Sequence, residues 1–195
     1  MKFYVFSLFT FLCVNFTLYS QDVTDLDLKP GYGGIFIGNY YEDVKMYLLK
    51  DSIPKKAVWD TTDSRVQSAE RVFLADLSQP DLDTFWGRKV ERVEVYTSQR
   101  HNNSIEDPND HRQVVDYIKI YLKQEHYDDG AFQDLVGYFY VDYGNYMSEE
   151  YNAPQEGDMR YSWSGKYLAF RLSNYYGEIP LNRKFDLAIY YRGYE

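Results

Sequence analysis

The chain has 195 residues, with 21 Lys and Arg against 30 Asp and Glu, and a formal charge of −9. Its apolar fraction of 45% is too high for a disordered chain, and 12 Gly and 6 Pro are too few for a fibrous one. The excess of acid argues against a nucleic-acid partner, because contact with phosphates requires a basic face. The composition therefore indicates an acidic globular protein in which 22 Tyr are the outlier.

Residues 1–20 have the features of a secretory signal peptide. Lys2 gives the N-terminal region a positive charge, and residues 3–14 are almost wholly apolar. The small residue Ser20 then precedes the polar residue Gln21. The apolar run is shorter than the roughly 20 residues that a membrane-spanning helix needs, although a retained anchor is the alternative interpretation. We therefore expect cleavage near residue 20, export to the periplasm or the extracellular space, and no integral membrane segment in the mature chain.

The single cysteine, Cys13, lies within this predicted leader. The mature chain therefore has no thiol for a disulfide or a cysteine zinc site. It is long enough to bury a hydrophobic core without a disulfide or a structural metal. We predict an N-terminal arm over 21–33 and a single domain over 34–195. The halves 34–87 and 88–195 can be read as a degenerate tandem of strand-helix-strands units.

In the first half, the apolar pattern predicts a strand, a helix and two further strands. The short apolar run 34–37 indicates the first strand. A helix is predicted over 40–48, because four apolar residues there share one helical face, and Pro54 ends the element. The apolar runs 57–59 and 71–75 are predicted to be strands.

A second helix is predicted to begin at Pro108, which suits the first helical position and follows a capping residue, Asp107. The helix is expected to end before Gly130. Helical spacing places one set of apolar residues on a single face: Val114, Val115, Ile118, Tyr121 and Leu122.

The remaining apolar runs predict strands, of which 160–163 and 166–172 form a hairpin. The others are 90–97, 135–141 and 185–191. Because hairpins follow each predicted helix, the order indicates an α+β fold. We expect a mostly antiparallel sheet with two helices packed on one face.

The sequence motifs indicate no catalytic residue, no cofactor-binding residue and no metal ligand. His101, His111 and His126 lack the spacing of a zinc-binding helix. The nucleophile elbow of serine hydrolases and the glycine-rich phosphate loop are both missing. Acidic residues are so numerous that a pair of glycosidase type cannot be singled out from the sequence. We therefore predict no cofactor.

A long irregular segment, 142–158, is the predicted contact surface. It contains five acids, no Lys or Arg, and three Tyr. Structureless segments beyond roughly 12–15 residues are uncommon in compact domains unless they are functional or disordered, so a mobile solvated loop is the alternative. We predict that Tyr143, Tyr146, Tyr151 and Trp163 contact a partner, because tyrosine offers a large rigid area with little rotamer entropy to lose.

These patterns favour an exported, non-catalytic domain that binds a protein or a glycan through a Tyr-rich acidic surface. The alternative is a hydrolase of envelope or extracellular polysaccharide that uses an Asp/Glu pair. Such an enzyme requires two carboxylates in one cleft, about 5–10 Å apart, beside Trp or Tyr. The sequence carries no signal for a particular oligomeric state.

Overall fold

The computed structural model describes residues 31–59, 67–99, 112–123, 129–150, 159–165, 168–176 and 183–191. The predicted leader, most of the predicted arm, all three histidines and Tyr151 lie outside the described residues.

Ten strands are described. In chain order they are β1 (Gly31–Tyr32), β2 (Ile35–Phe36), β3 (Arg71–Leu74), β4 (Thr84–Phe85), β5 (Arg88–Gln99), β6 (Gln113–Leu122), β7 (Met147–Glu150), β8 (Met159–Ser164), β9 (Leu168–Tyr176) and β10 (Arg183–Tyr191). Eight of them form one sheet, with β3-β5-β6-β10-β9-β8-β7 as the spatial order and β4 paired to the end of β5. Every pairing between the described strands is antiparallel. The mostly antiparallel sheet is therefore confirmed.

Two α-helices pack against one face of this sheet. The short helix α1 (Tyr41–Val44) continues into a 3-10 turn, Lys45–Tyr47, and the longer helix α2 is Asp129–Tyr143. Val44 of α1 and Phe139 of α2 belong to the same buried apolar core. The strands contribute further side chains to that core, among them Val93, Val95, Ile118, Ile120, Trp163, Phe170 and Leu187. The α+β architecture with two helices on one face is confirmed.

Most strand predictions are also confirmed. Strands occur within the predicted ranges 34–37 and 71–75, and β5 includes all of 90–97. The predicted hairpin is β8 and β9, and the predicted last strand is β10. Because β3 pairs with β5, the sheet is continuous across the boundary between the two predicted halves, and the tandem arrangement stays a prediction.

The predicted second helix is wrong over 113–122, where the chain forms the strand β6. This strand is central, because it pairs with β5 on one side and β10 on the other. Side chains on both of its faces are buried, including Val115, Ile118 and Lys119. A strand that is buried on both faces has a near-continuous apolar sequence, and such a run also satisfies helical spacing.

Two predicted strands are wrong. The range 135–141 lies within α2, and 57–59 contains the end of a 3-10 turn, Lys55–Ala57. The range 135–141 is rich in aromatic and β-branched residues, which favour strands. The tertiary contacts of α2 outweigh that preference, because Phe132, Leu135, Val136 and Phe139 are buried at helical spacing in the apolar core.

Candidate functional site

A tight hairpin presents an exposed tryptophan at one end of the sheet. Phe85 pairs with Arg88, so that Trp86 and Gly87 are the two loop residues. Both have positive φ, 51° for Trp86 and 72° for Gly87. Positive φ at both central positions defines a type I′ turn, which favours Asn or Asp followed by Gly. A tryptophan with left-handed backbone conformation is strained by roughly 1–2 kcal/mol.

The Trp86 indole rests on helix α2. It stacks on Tyr138 with ring centroids 5.4 Å apart, and it contacts Phe139 at 5.8 Å. Trp86 nevertheless remains 42% exposed, and Tyr138 is 51% exposed. One side of the indole is therefore supported by the helix while much of its remaining surface meets solvent.

A second aromatic pair lies on the other side of α2. The rings of Tyr140 and Tyr146 meet edge to face at 6.3 Å, with exposed fractions of 48% and 39%. Tyr146 also packs on Trp163 at 5.4 Å and on Tyr161 at 5.0 Å. The rings of this second pair are thus held by strand β8. We call Trp86, Tyr138, Tyr140 and Tyr146 the α2 aromatic surface.

The helical period explains why these rings are exposed. The buried stripe of α2 includes Phe139, and successive residues turn by 100° around the helix. Tyr138 and Tyr140 therefore flank that stripe on opposite sides. Gly137 and Val141 lie on the solvent side between them, and both are exposed. A Cβ placed on Gly137 would meet no atom within 4 Å, so the outer side of the helix is open.

The structure brings together three of the four residues that the sequence analysis singled out. Tyr146 is exposed, whereas Trp163 is 1% exposed and donates its indole N–H to the Gly144 carbonyl at 3.1 Å. Tyr143 is half-buried against Phe139, at 5.4 Å between ring centroids. Trp163 therefore supports Tyr146 directly, and Tyr143 belongs to the same aromatic cluster through Phe139, which contacts Trp163.

Sequence reasoning missed Tyr138 and Tyr140, because it assigned 135–141 to a strand. The helical spacing of Phe132, Leu135 and Phe139 is the signal that identifies both rings as exposed neighbours of a buried stripe.

The sequence of α2 and of the segment after it is acidic. The stretch 129–150 contains five Asp and Glu and no Lys, Arg or His. Asp134 is exposed on α2, and Asp142 is half-buried near its end. Arg88, at the base of the hairpin, donates its guanidinium N–H to the carbonyl of Ala131 at 3.0 Å. This bond connects the hairpin to the start of α2, and it occupies one of the N–H donors of the Arg88 guanidinium.

The opposite face of the sheet holds a fully buried carboxylate, Glu94. Its Oε1 accepts hydrogen bonds from the backbone N–H of Trp59 at 3.1 Å and from the Arg92 guanidinium at 2.7 Å. Its Oε2 accepts from the hydroxyls of Tyr96 and Tyr121, the latter at 3.3 Å. Four donors fill the acceptor sites of one carboxylate. Glu94 therefore holds the segment around Trp59 against the sheet through hydrogen bonds.

Burial and the negative charge of Glu94 raise the pKa of Tyr96 well above its ordinary value. The Tyr96 hydroxyl thus stays protonated and remains a hydrogen-bond donor to Glu94 over a wide pH range.

A second buried ion pair lies on the same face of the sheet. Lys119 Nζ is 3.1 Å from Asp186 Oδ2, and both side chains are almost fully buried. Arg171 donates to the Tyr117 hydroxyl at 3.2 Å nearby in the sheet. Buried pairs of this kind exclude water from their charges, and they are costly to break by removing one partner.

No protein-family model, curated protein or solved structure matches the chain. Across the described ranges, no group of three or more His, Cys, Asp and Glu side chains is arranged to hold a metal ion. None of the helices that the structure describes is both long and apolar enough to cross a membrane.

Proposed function

We propose that this protein is an exported, non-catalytic binding domain whose α2 aromatic surface contacts a protein or a glycan. Export rests on the predicted leader over 1–20. The binding role rests on four aromatic side chains that remain exposed and grouped around one helix. Clusters of exposed aromatic side chains are typical of contact sites, and Trp and Tyr dominate the energetics of such sites.

The conformation of Trp86 is the observation that carries the proposal. An Asn or Gly at this turn position would avoid the strain of a left-handed backbone. The large indole gains only part of its burial energy, because 42% of the residue is exposed. Stability of the free protein therefore accounts for the buried part of the ring but does not account for its exposed part. Contact with a partner does, because the partner would cover the exposed part of the ring.

Partner capture tests this function. The purified protein is exposed to envelope and secreted proteins of its source organism and, separately, to an array of envelope and extracellular polysaccharides. The test variant is Trp86→Ala with Tyr138→Ala, and the matched control is Phe36→Ala, which removes an equally exposed ring elsewhere. We expect the wild type and the control to retain a specific partner and the double variant to lose about tenfold in affinity. Equal capture by all three proteins would contradict the proposal.

A polysaccharide hydrolase is the second candidate function. It is favoured by two carboxylates, Glu94 and Asp186, that lie on one face of the sheet beside tyrosines. Against it, both groups are fully buried and Glu94 already accepts four hydrogen bonds. Activity on the polysaccharide array that is abolished by Glu94→Gln or Asp186→Asn, in a variant with wild-type circular dichroism, would replace the binding proposal.

A further inference from the structure

We propose that Lys119 and Asp186 are a self-modification site, at which the Lys119 amine and the Asp186 carboxyl condense to an isopeptide bond. The two residues lie on the central strands β6 and β10, on the face of the sheet opposite the helices. This site is separate from the α2 aromatic surface, so it does not rest on the proposed function.

The register of the two strands places the reacting groups together. Lys119 on β6 pairs with Ala188 on β10, so Asp186, two residues away on the same face, is the diagonal neighbour of Lys119. Lys119 Nζ lies 3.1 Å from Asp186 Oδ2, and Oδ2 is bonded to Cγ, the carbon that an amine attacks. Groups that a fold holds this close react as if at very high concentration.

Burial of the pair favours the reactive forms of both groups. The exposed fraction of the side chain is 1% for Lys119 and 0% for Asp186. Loss of water destabilises the two ions, which favours transfer of the proton from the amine to the carboxyl. The transfer yields a neutral amine, which is a nucleophile, and a carboxylic acid, whose hydroxyl group can leave. Exclusion of bulk water also protects the product from hydrolysis.

Glu94 adds a negative charge beside this pair. It lies on β5 directly opposite Lys119 in the register of β5 and β6. Tyr121 lies next to both residues, because its hydroxyl donates to Glu94 Oε2 at 3.3 Å and its ring centre is 5.5 Å from Lys119 Nζ. The amine nitrogen becomes positively charged as it attacks Cγ, and a fixed carboxylate nearby stabilises that charge. Glu94 is therefore expected to speed the condensation.

The step balances without an oxidant, a reductant or a cofactor. The lone pair of the neutral Nζ forms a bond to Cγ, and one C–O bond of the carboxylic acid breaks. The departing hydroxyl group takes one proton from the nitrogen and leaves as water. The product is an amide, so a neutral group replaces two buried charges.

The bond would link two strands at the centre of the sheet. It would close the loop 119–186, and a crosslink across a long loop removes conformational entropy from the unfolded chain. One Cys per chain cannot form an internal disulfide. The isopeptide bond would thus give this chain the covalent constraint that a disulfide gives to other proteins.

Intact-mass spectrometry of the folded, purified chain, followed by peptide mapping, tests the inference. We expect the mass to be lower than the calculated value by one molecule of water. We also expect a branched peptide that joins the segment around Lys119 to the segment around Asp186. The exposed pair Lys45 and Glu42, with Nζ and Oε2 2.5 Å apart, is the internal control and should stay unlinked. A mass equal to the calculated value, or a loss of water that maps to another site, would overturn the inference.

Two substitutions of Asp186 sharpen the test. Asp186→Asn can condense with loss of ammonia and yields the same amide, so we expect its linked form to have the mass of the linked wild type. Asp186→Ala has no carboxyl to react, so we expect its full calculated mass and a lower Tm than that of the wild type. A loss of water that persists in Asp186→Ala would overturn the inference.

The part assigned to Glu94 is tested by the rate of linking. In freshly synthesised protein, we expect the linked fraction to rise more slowly in Glu94→Gln than in the wild type, with both folded by circular dichroism. Glu94→Asp, which keeps the charge, should recover part of the rate. Equal rates in Glu94→Gln and the wild type would contradict the part assigned to Glu94.

Discussion

The indole of Trp86 and the phenol ring of Tyr138 stack at 5.4 Å between centroids, with their planes 28° apart. This contact joins the tip of the β4–β5 hairpin to the middle of α2, two elements that are distant in sequence. Both rings remain partly exposed, so the contact orients them without burying them. The pair therefore forms a rigid aromatic platform at the surface of the fold.

The strain at Trp86 leads to the first prediction. In Trp86→Gly, relief of the left-handed backbone, roughly 1–2 kcal/mol, offsets only part of the lost burial and of the lost stacking, which is about 0.5–1.5 kcal/mol. We expect the free energy of unfolding in urea to fall by about 1–3 kcal/mol. The buried Trp163 is the comparison, since Trp163→Ala should lose about 3–5 kcal/mol. A large loss in Trp86→Gly would show that the fold itself requires the indole.

Gly137 provides a prediction about helix stability. Its Cβ position is open and its backbone is helical, so Gly137→Ala should stabilise the protein by about 0.5–1 kcal/mol. Gly31→Ala is the opposite case, because the new Cβ would lie 2.0 Å from the carbonyl oxygen of Ile35. Thermal unfolding followed by circular dichroism distinguishes them, with a rise in Tm for the first variant and a fall for the second. A fall in Tm for Gly137→Ala would mean that the outer side of α2 is occupied.

The Glu94 carboxylate gives a third prediction. In Glu94→Gln, the amide nitrogen faces groups that already donate, and the Arg92 guanidinium loses its anionic partner. We expect a loss of about 3 kcal/mol in the free energy of unfolding. The exposed neighbour Glu91 is the control, since Glu91→Gln should change that value by less than about 0.5 kcal/mol. Similar free energies of unfolding for the two variants would contradict the role of Glu94 in holding the segment around Trp59 against the sheet.

The raised pKa of Tyr96 predicts a stability loss in alkali. The folded state holds the phenol protonated, whereas the unfolded chain releases the proton above about pH 10. The contribution of Tyr96 is therefore complete below that pH and is lost as pH rises toward the folded pKa. Tyr96→Phe removes this contribution, so its urea stability should fall less than that of the wild type between neutral pH and about pH 11. Equal losses in the two proteins would contradict the assignment.

The sequence predicts most of the strands of the sheet but misses the strand β6 and the helix α2. The alternation in 90–97 and 185–191 identifies β5 and β10, and Tyr40 and Val44 mark α1. The central strand β6 is missed because burial on both faces removes the alternation that distinguishes strand from helix. Helix α2 is missed because Tyr138, Phe139 and Tyr140 have strand propensity, and only packing against the sheet decides between the two.

The candidate surface is only partly visible in the sequence. The composition of 142–158, which is predicted to be an irregular contact loop, indicates Tyr146. The predicted irregular structure is wrong where the chain forms the end of α2, at 142–143, and the strand β7. Tyr138 and Trp86 are brought together by a turn and a helix that are far apart in the chain, so no local pattern predicts their contact. The positive φ of Trp86 is likewise a property of the folded hairpin.

Hydroxyl-radical footprinting of the protein, alone and with its captured partner, tests the central claim most directly. The method reads the solvent exposure of individual aromatic side chains. We predict protection of Trp86, Tyr138, Tyr140 and Tyr146 on binding, with Phe36 unchanged. Protection confined to other residues, with the four rings as reactive in the complex as in the free protein, would contradict the account.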